Sequence, residues 1–265
     1  MSVFAALLLT AATSINPVQC PSLPGVESLI SQPQLRFIIV GEQHGTAEVP
    51  AMFGDLVCHL ASSRKIVVGI EFAASMQPAI DRFMASNGDL KARREFLETP
   101  IWTVKFKDGR TSVAMFDLVD RLRSMKASGL IEGVVAFVPT GTSGPVDYEQ
   151  KMAATLNSSA KAGHTVVALV GNIHALRTHW AIKGTPYMPM AGLLPGDSTA
   201  TFDVVPDGGS QWACLSAKGC GPVSLGPTRG QTGRSLIFGR APNRAYSGIM
   251  LLGGPASASL PMALD

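Results

Sequence analysis

The chain has 265 residues, of which 46% are hydrophobic and 15% charged, with a formal net charge of +3. That apolar excess excludes an intrinsically disordered chain and suits one large domain, or one domain with an appendage. The small net charge and the absence of any Lys/Arg block argue against a nucleic-acid partner.

Residues 1–15, Met1 to Ile15, carry an apolar run followed by small residues, which reads as a secretory signal peptide although no Lys or Arg precedes the run. The run is too short for a stable membrane span. Gln19 before Cys20 is wrong for a lipoprotein cleavage site, so the expectation is a periplasmic or secreted protein without a lipid anchor. The four cysteines, Cys20, Cys58, Cys214 and Cys220, allow three full pairings. Cys214 and Cys220 flank a short loop and are the expected disulfide, whereas a four-cysteine zinc site would want a C-x-x-C pair that is missing.

Leu35 to Val40 predicts a strand, followed by Gly41-Glu42-Gln43-His44 as a loop. Helical periodicity starts near Glu48, with Phe53, Leu56, Val57 and Leu60 on one face and His59 on the other. Lys65 to Phe72 predicts a second strand that ends on Glu71. Gln77 to Thr99 predicts helix, broken at Asn87-Gly88-Asp89. After a loop containing Trp102 and Asp108-Gly109-Arg110, Ser112 caps a helix built on Val113, Phe116, Val119 and Leu122. Gly133 to Val138 predicts a third strand, and the Gly/Pro-rich loop 139–145 follows at its carboxyl end, placed to cover a ligand. Asp147 is expected to cap a helix through about Lys161, before a fourth strand over Thr165 to Val170.

Four strands alternating with helices predict an open, mostly parallel sheet flanked by helices. Beyond Thr185 the texture changes. Thr201 to Val205 and Gln211 to Leu215 flank Pro-Asp-Gly-Gly and read as a hairpin, and 234–239 and 248–252 read as strands. The fold class is therefore α/β, one domain over 35–265, with its core in 35–194 and a β-rich extension over 195–252 supplying antiparallel edge strands.

Two segments repeat a pattern: an apolar strand, then Gly41-Glu-Gln-His44, and an apolar strand, then Gly171-Asn-Ile-His174. In a parallel sheet the carboxyl ends of the strands share one edge, where ligands bind. Glu42, His44, Glu71 and His174 are accordingly expected to converge there as catalytic residues. Such a set serves two chemistries. His44, Glu71 and His174 can hold a divalent metal with water on it. Without a metal, a carboxylate-oriented imidazole can deprotonate water while a second one protonates the leaving group. Glu71, arriving on a separate strand, is the expected base or ligand, and Glu42 the expected orienter of His44. His164 precedes its strand and falls at the opposite edge, whereas His179 follows His174 closely enough to support it. The sequence has no Gly-x-Ser-x-Gly elbow and no Gly-rich phosphate loop.

Gly41 to Glu48, Gly69-Ile-Glu-Phe72 and Gly171 to Ala175 together resemble the superfamily that joins erythromycin esterases, the haem-binding lipoprotein ChaN and the Tiki/TraB proteins. The similarity extends to Asp108 to Ser112, to Tyr148 to Ala153 (with Tyr148 where the family pattern has arginine) and to Pro186 to Ala191. It implies an α/β core with an internally duplicated half and a site at the His and Glu positions, with Arg110, Glu149 and Asn172 taken as substrate-binding. The implied activities differ: lactone ester hydrolysis in the esterases, metal-dependent proteolysis in Tiki proteins, haem binding in ChaN. The expectation is an exported hydrolase of an ester, lactone or amide in a small molecule or short peptide. The alternative is a non-catalytic haem- or metal-binding protein of an uptake system. The haem ligand that resemblance suggests is a tyrosine, available here as Tyr148, Tyr187 or Tyr246.

Overall fold

A computed structural model describes residues 20–215, 219–239, 241 and 245–263. The expected signal peptide lies outside the described residues. In chain order the elements are α1 (Glu27–Ile30), β1 (Phe37–Glu42), α2 (Glu48–Ala61), β2 (Lys65–Ala73), α3 (Gln77–Met84), α4 (Leu90–Leu97), α5 (Pro100–Thr103), α6 (Val113–Ala127), β3 (Gly133–Val138), α7 (Pro145–Ser159) and β4 (His164–Gly171). The C-terminal part adds β5 (Trp180–Ile182), β6 (Thr185–Tyr187), β7 (Thr199–Val205), β8 (Ser210–Leu215), β9 (Gly219–Ser224), β10 (Ser235–Phe238) and β11 (Gly248–Leu251). Among the described residues no helix is long and apolar enough to cross a membrane.

Seven strands form the main sheet in the order β10-β11-β7-β1-β4-β2-β3. Every neighbouring pair runs parallel except the edge pair β10/β11. The strands are apolar on both faces because helices cover both. Along β1, Ile38 and Val40 face the cluster built by α2, α3 and α6, while Phe37 and Ile39 face the cluster built by α7 and the 190–194 segment. β4 alternates the same way, Val167 and Leu169 against Val166, Ala168 and Val170.

Local chemistry sets the helix boundaries. Ser112 caps α6 by accepting from the Met115 N–H, and Asp89 caps α4 by accepting from the Ala92 N–H. α7 starts two residues before the expected Asp147 cap, because Pro145 has the fixed φ of a first helical residue. Asp147 sits in the first turn instead and accepts from the Ser143 N–H at 2.9 Å.

The expected hairpin of 201–205 with 211–215 does not form. β7 is almost wholly buried and inserts parallel beside β1, whereas β8 pairs antiparallel with β9 in a separate ribbon. Thr201, Phe202 and Val204 are shielded on both faces, as an internal parallel strand requires, while β8 is only half-buried. Gly209 turns the chain out of the sheet at a φ of +94°. A Cβ there would stand 2.1 Å from the Ala256 carbonyl oxygen, so only glycine passes that close. β11 also joins parallel, leaving β10 as the antiparallel edge strand of the main sheet.

The cysteines pair as Cys20–Cys58 and Cys214–Cys220. The first bridge clamps the segment before α1 onto α2, and the second joins directly facing residues of β8 and β9. Their sequence separations are 38 and 6 residues. Loop-closure entropy then gives about 4 kcal/mol for the first and about 2 kcal/mol for the second. Urea unfolding should therefore show Cys20→Ser/Cys58→Ser losing more stability than Cys214→Ser/Cys220→Ser. The reverse order would contradict this assignment of the larger constraint.

Candidate active site

The carboxyl ends of three adjacent strands build the site. β4 lies between β1 and β2, with Glu42 in register with Gly171 and Ile70 with Leu169. Glu42 ends β1, and His44 follows in the loop. Glu71 sits near the end of β2, where the register against β3 shifts between Ile70 and Ala73, an irregularity of the kind that re-aims a side chain. Residues Asn172–Ala175 form a single 3₁₀ turn that carries His174. Gly41 lets that turn lie on β1, since a Cβ there would come within 2.9 Å of both Ala175 Cβ and Asn172 Cα.

Each imidazole is held by a buried carboxylate. His44 Nδ1 lies 2.9 Å from Glu42 Oε1, and His174 Nδ1 lies 2.7 Å from Glu149 Oε1. Glu42 and Glu149 are each 2% exposed. Glu149 uses its other oxygen to accept from the Met190 N–H at 2.7 Å, which fixes the carboxylate. Glu42 Oε2 is buried without a hydrogen-bond partner.

Glu71 stands at the centre. Its Oε2 accepts from the Gly171 N–H at 2.6 Å and lies 3.4 Å from His44 Nε2, and its Oε1 accepts from Arg110 at 3.2 Å. Arg110 in turn grips Asp108 through a 2.5 Å bond. Burial alone would favour a neutral Glu71, but His44, His174 and Arg110 together outweigh it and hold the carboxyl at about 2. Burial likewise disfavours a charged His44, yet Glu71 and Glu42 push it up to about 10. His174 is raised as well: burial opposes its charge, and the carboxylates of Glu149 and Glu71 overcome that. Asp108 is lowered because Arg110 outweighs its burial, and Tyr148 is pushed up to about 12 by burial and by Glu71.

The cluster opens into a cleft of about 480 Å³ lined by His44, Glu71, Arg110, Tyr148 and His174. Thr142, Gly144 and Pro145 of the 139–145 loop also line it. A second cleft of about 360 Å³ adjoins it, with Glu42, Gln43, His44, Asn172, His174 and Gln211 in its wall.

The sequence-expected residues fall as follows. Glu42, His44, Glu71 and His174 come together. Arg110 sits between Glu71 and Asp108, and Glu149 lies beneath His174 as its hydrogen-bond partner. Asn172 lines the second cleft, and its carbonyl accepts from the Tyr246 hydroxyl at 2.9 Å. Asp108 belongs to the site without being among the residues the sequence singles out; the Asp-Gly-Arg motif around it is the signal that marks it. His59 bonds the Pro21 carbonyl, and His164 lies near Ala162 and Glu132, both away from the site.

Among the described residues no group of three or more His, Cys, Asp or Glu side chains is set to hold a metal ion. Both nitrogens of His44 face carboxylates, and both oxygens of Glu71 are engaged. His44, Glu71 and His174 in this arrangement do not fit a metal. Of the three tyrosines, Tyr246 gives its hydroxyl to the Asn172 carbonyl, whereas Tyr148 and Tyr187 line the cleft.

No protein-family model matches the sequence, and no curated protein does. Solved structures do match in fold. A mutant of erythromycin esterase EreC in its open conformation has a TM-score of 0.68 at 11% identity, over 93% of this chain and 98% of that chain. A succinoglycan biosynthesis protein has a TM-score of 0.67 at 10% identity, over 95% of each chain. A Bacillus cereus protein has a TM-score of 0.57 at 13% identity, over 95% of this chain and 96% of that chain. In fold, the chain is an α/β protein similar to these structures, the erythromycin esterase among them.

Proposed function

We propose that the protein is an exported hydrolase, periplasmic or secreted, that cleaves an ester, lactone or amide bond with water. The observation that carries this reading is the pair of carboxylate-held imidazoles, Glu42–His44 and Glu149–His174, set around one buried anion, Glu71. The fold shared with an erythromycin esterase supports it, and two disulfides support an oxidising compartment.

In this mechanism Glu71 takes a proton from water as the water oxygen attacks the carbonyl carbon. The His44 imidazolium faces the oxygen on which negative charge develops. The carbon–oxygen or carbon–nitrogen bond then breaks, and the leaving atom takes a proton from an imidazolium. Glu71 then gives up its proton, the imidazole regains one through water in the cleft, and the cycle closes. Glu71 is a weak base while three cations surround it. A substrate oxygen that draws Arg110 or His44 toward itself removes part of that stabilisation and raises Glu71 toward a working range.

Glu71→Gln should lower kcat on a model p-nitrophenyl ester by about 10²–10⁴, the usual cost of losing a positioned acid–base group, and Glu42→Gln should cost less. The substituted amide would keep an oxygen for the Gly171 N–H but leave Arg110 facing a neutral group, so the variant's thermal midpoint should also fall. Rates are therefore compared well below that midpoint, on protein with a wild-type circular dichroism spectrum. Equal turnover by wild type and Glu71→Gln would overturn the assignment. Purified protein with a Soret band and no hydrolysis would favour the haem-binding alternative.

The pH profile gives a separate check. A Glu71 held at about 2 is anionic above that pH, and a His44 raised to about 10 stays protonated below it. kcat/KM, which follows the free enzyme, should be level through neutrality and fall on the alkaline side as an imidazolium loses its proton. An acid limb near the ordinary histidine value would mean that a neutral imidazole is the base instead.

A further inference from the structure

A third cleft, of about 530 Å³, adjoins the site beneath Arg110. Its inner end is formed by Glu71, Asp108 and Arg110, which also line the cleft holding His44 and His174. Its outer walls are mainly apolar, with Met76, Pro100, Ile101, Val104 and Val138, and Ser75, Lys105 and Thr111 interrupt them. At its mouth Val104 and Phe106 are 43% and 69% exposed, large apolar side chains kept in water beside a charged site. Its volume is within the range of about 300–1,000 Å³ common to small-molecule sites. The cleft on the other side of the imidazoles is different, since Gln43, Asn172 and Gln211 line it.

The two clefts meet different members of the catalytic cluster. Glu71 borders the apolar cleft and not the polar one, and Glu42, His44 and His174 border the polar one and not the apolar one. The leaving oxygen, protonated by an imidazolium, lies on the side of the imidazoles and the polar cleft. The acyl group on the carbonyl carbon then has the apolar cleft that Glu71 borders. Resting on the hydrolase reading above, we propose that the substrate is an acyl ester of a polar, hydroxylated alcohol, with its apolar acyl chain in the cleft formed by Met76, Ile101, Val104 and Val138. The polar alcohol occupies the side of Gln43, Asn172 and Gln211. In the balanced reaction the acyl carbon–oxygen bond breaks, water supplies hydroxyl to the acyl carbon, and the alcohol oxygen takes a proton.

The test is a p-nitrophenyl ester series from acetate to decanoate, with decanoate binding measured in parallel by calorimetry. Each methylene that enters the cleft should raise kcat/KM about four-fold, the equivalent of ~0.8 kcal/mol per buried CH₂, until the cleft is full. Val104→Asp places a carboxylate in the apolar wall at a half-exposed position, where the fold tolerates charge. It should flatten the octanoate-to-acetate ratio of kcat/KM toward one and weaken decanoate binding. A wild-type ratio near one overturns the acyl-chain assignment, as does a ratio that Val104→Asp leaves unchanged. If no ester in the series turns over, the hydrolase reading fails, and decanoate binding then decides the cleft alone. Binding lost in Val104→Asp supports an apolar-chain site, and no binding by wild type overturns it.

Discussion

The Glu71 carboxylate is the interaction on which the rest of the site depends. It is a buried anion, which an apolar interior rejects unless donors and positive charge surround it. Its partners come from separate parts of the chain: Gly171 N–H from the end of β4, Arg110 from the loop before α6, and His44 from the loop after β1. Glu71 thereby ties three segments together at one point. Each partner is itself held, His44 by Glu42 and Arg110 by Asp108. Counting both imidazoles as protonated, Arg110, His44 and His174 face Glu42, Glu71, Asp108 and Glu149. Three positive charges thus face four negative ones within a partly closed space. Glu71, His44 and His174 shift one another's titration, so changing one of them alters the protonation of its neighbours.

Sheet order makes the cluster accessible. β1, β4 and β2 are adjacent and parallel, so the ends of all three open on the same edge. Had the two Gly-x-x-His strands been separated by an intervening strand, the imidazoles would stand a further 4.7–4.9 Å apart per strand, roughly the inter-strand spacing. The β8–β9 ribbon closes the site from above: the Trp212 N–H bonds the Gly45 carbonyl, and the Trp212 indole bonds the Lys107 carbonyl. One aromatic residue therefore joins the His44 loop to the Asp108–Arg110 loop. This gives the C-terminal extension a structural part in the site that the parallel core alone would not supply.

The features legible in the sequence were those with local signatures. Parallel strands covered on both faces read as continuous apolar runs, and all four core strands appear within two residues of the expected bounds. The Gly-x-x-His repeat marked two strand ends, and Glu71 a third. Pairings set by tertiary packing left no such mark. Glu149 is marked only by the family resemblance, as a substrate-binding residue, and with α7 packed on the sheet it is instead the support of His174. The Pro-Asp-Gly-Gly turn carried a hairpin signal, yet the apolar character of Thr201 to Val205 on both faces prevailed and drew β7 into the sheet. Local turn chemistry offers a hairpin, but burying two faces is worth more than pairing at an edge.

The two histidine units look alike in sequence but occupy different electrostatic settings. His44 lies between two carboxylates, Glu42 and Glu71, whereas His174 has one direct carboxylate partner and feels Glu71 only at longer range. The group with two anions holds its proton more firmly and is suited to stabilising charge, a task that needs no proton release. The group with one anion parts with its proton more easily and is suited to protonating a leaving atom. The duplicated motif supplies two imidazoles of similar geometry, and in the proposed mechanism the asymmetric placement of Glu71 is what divides their work.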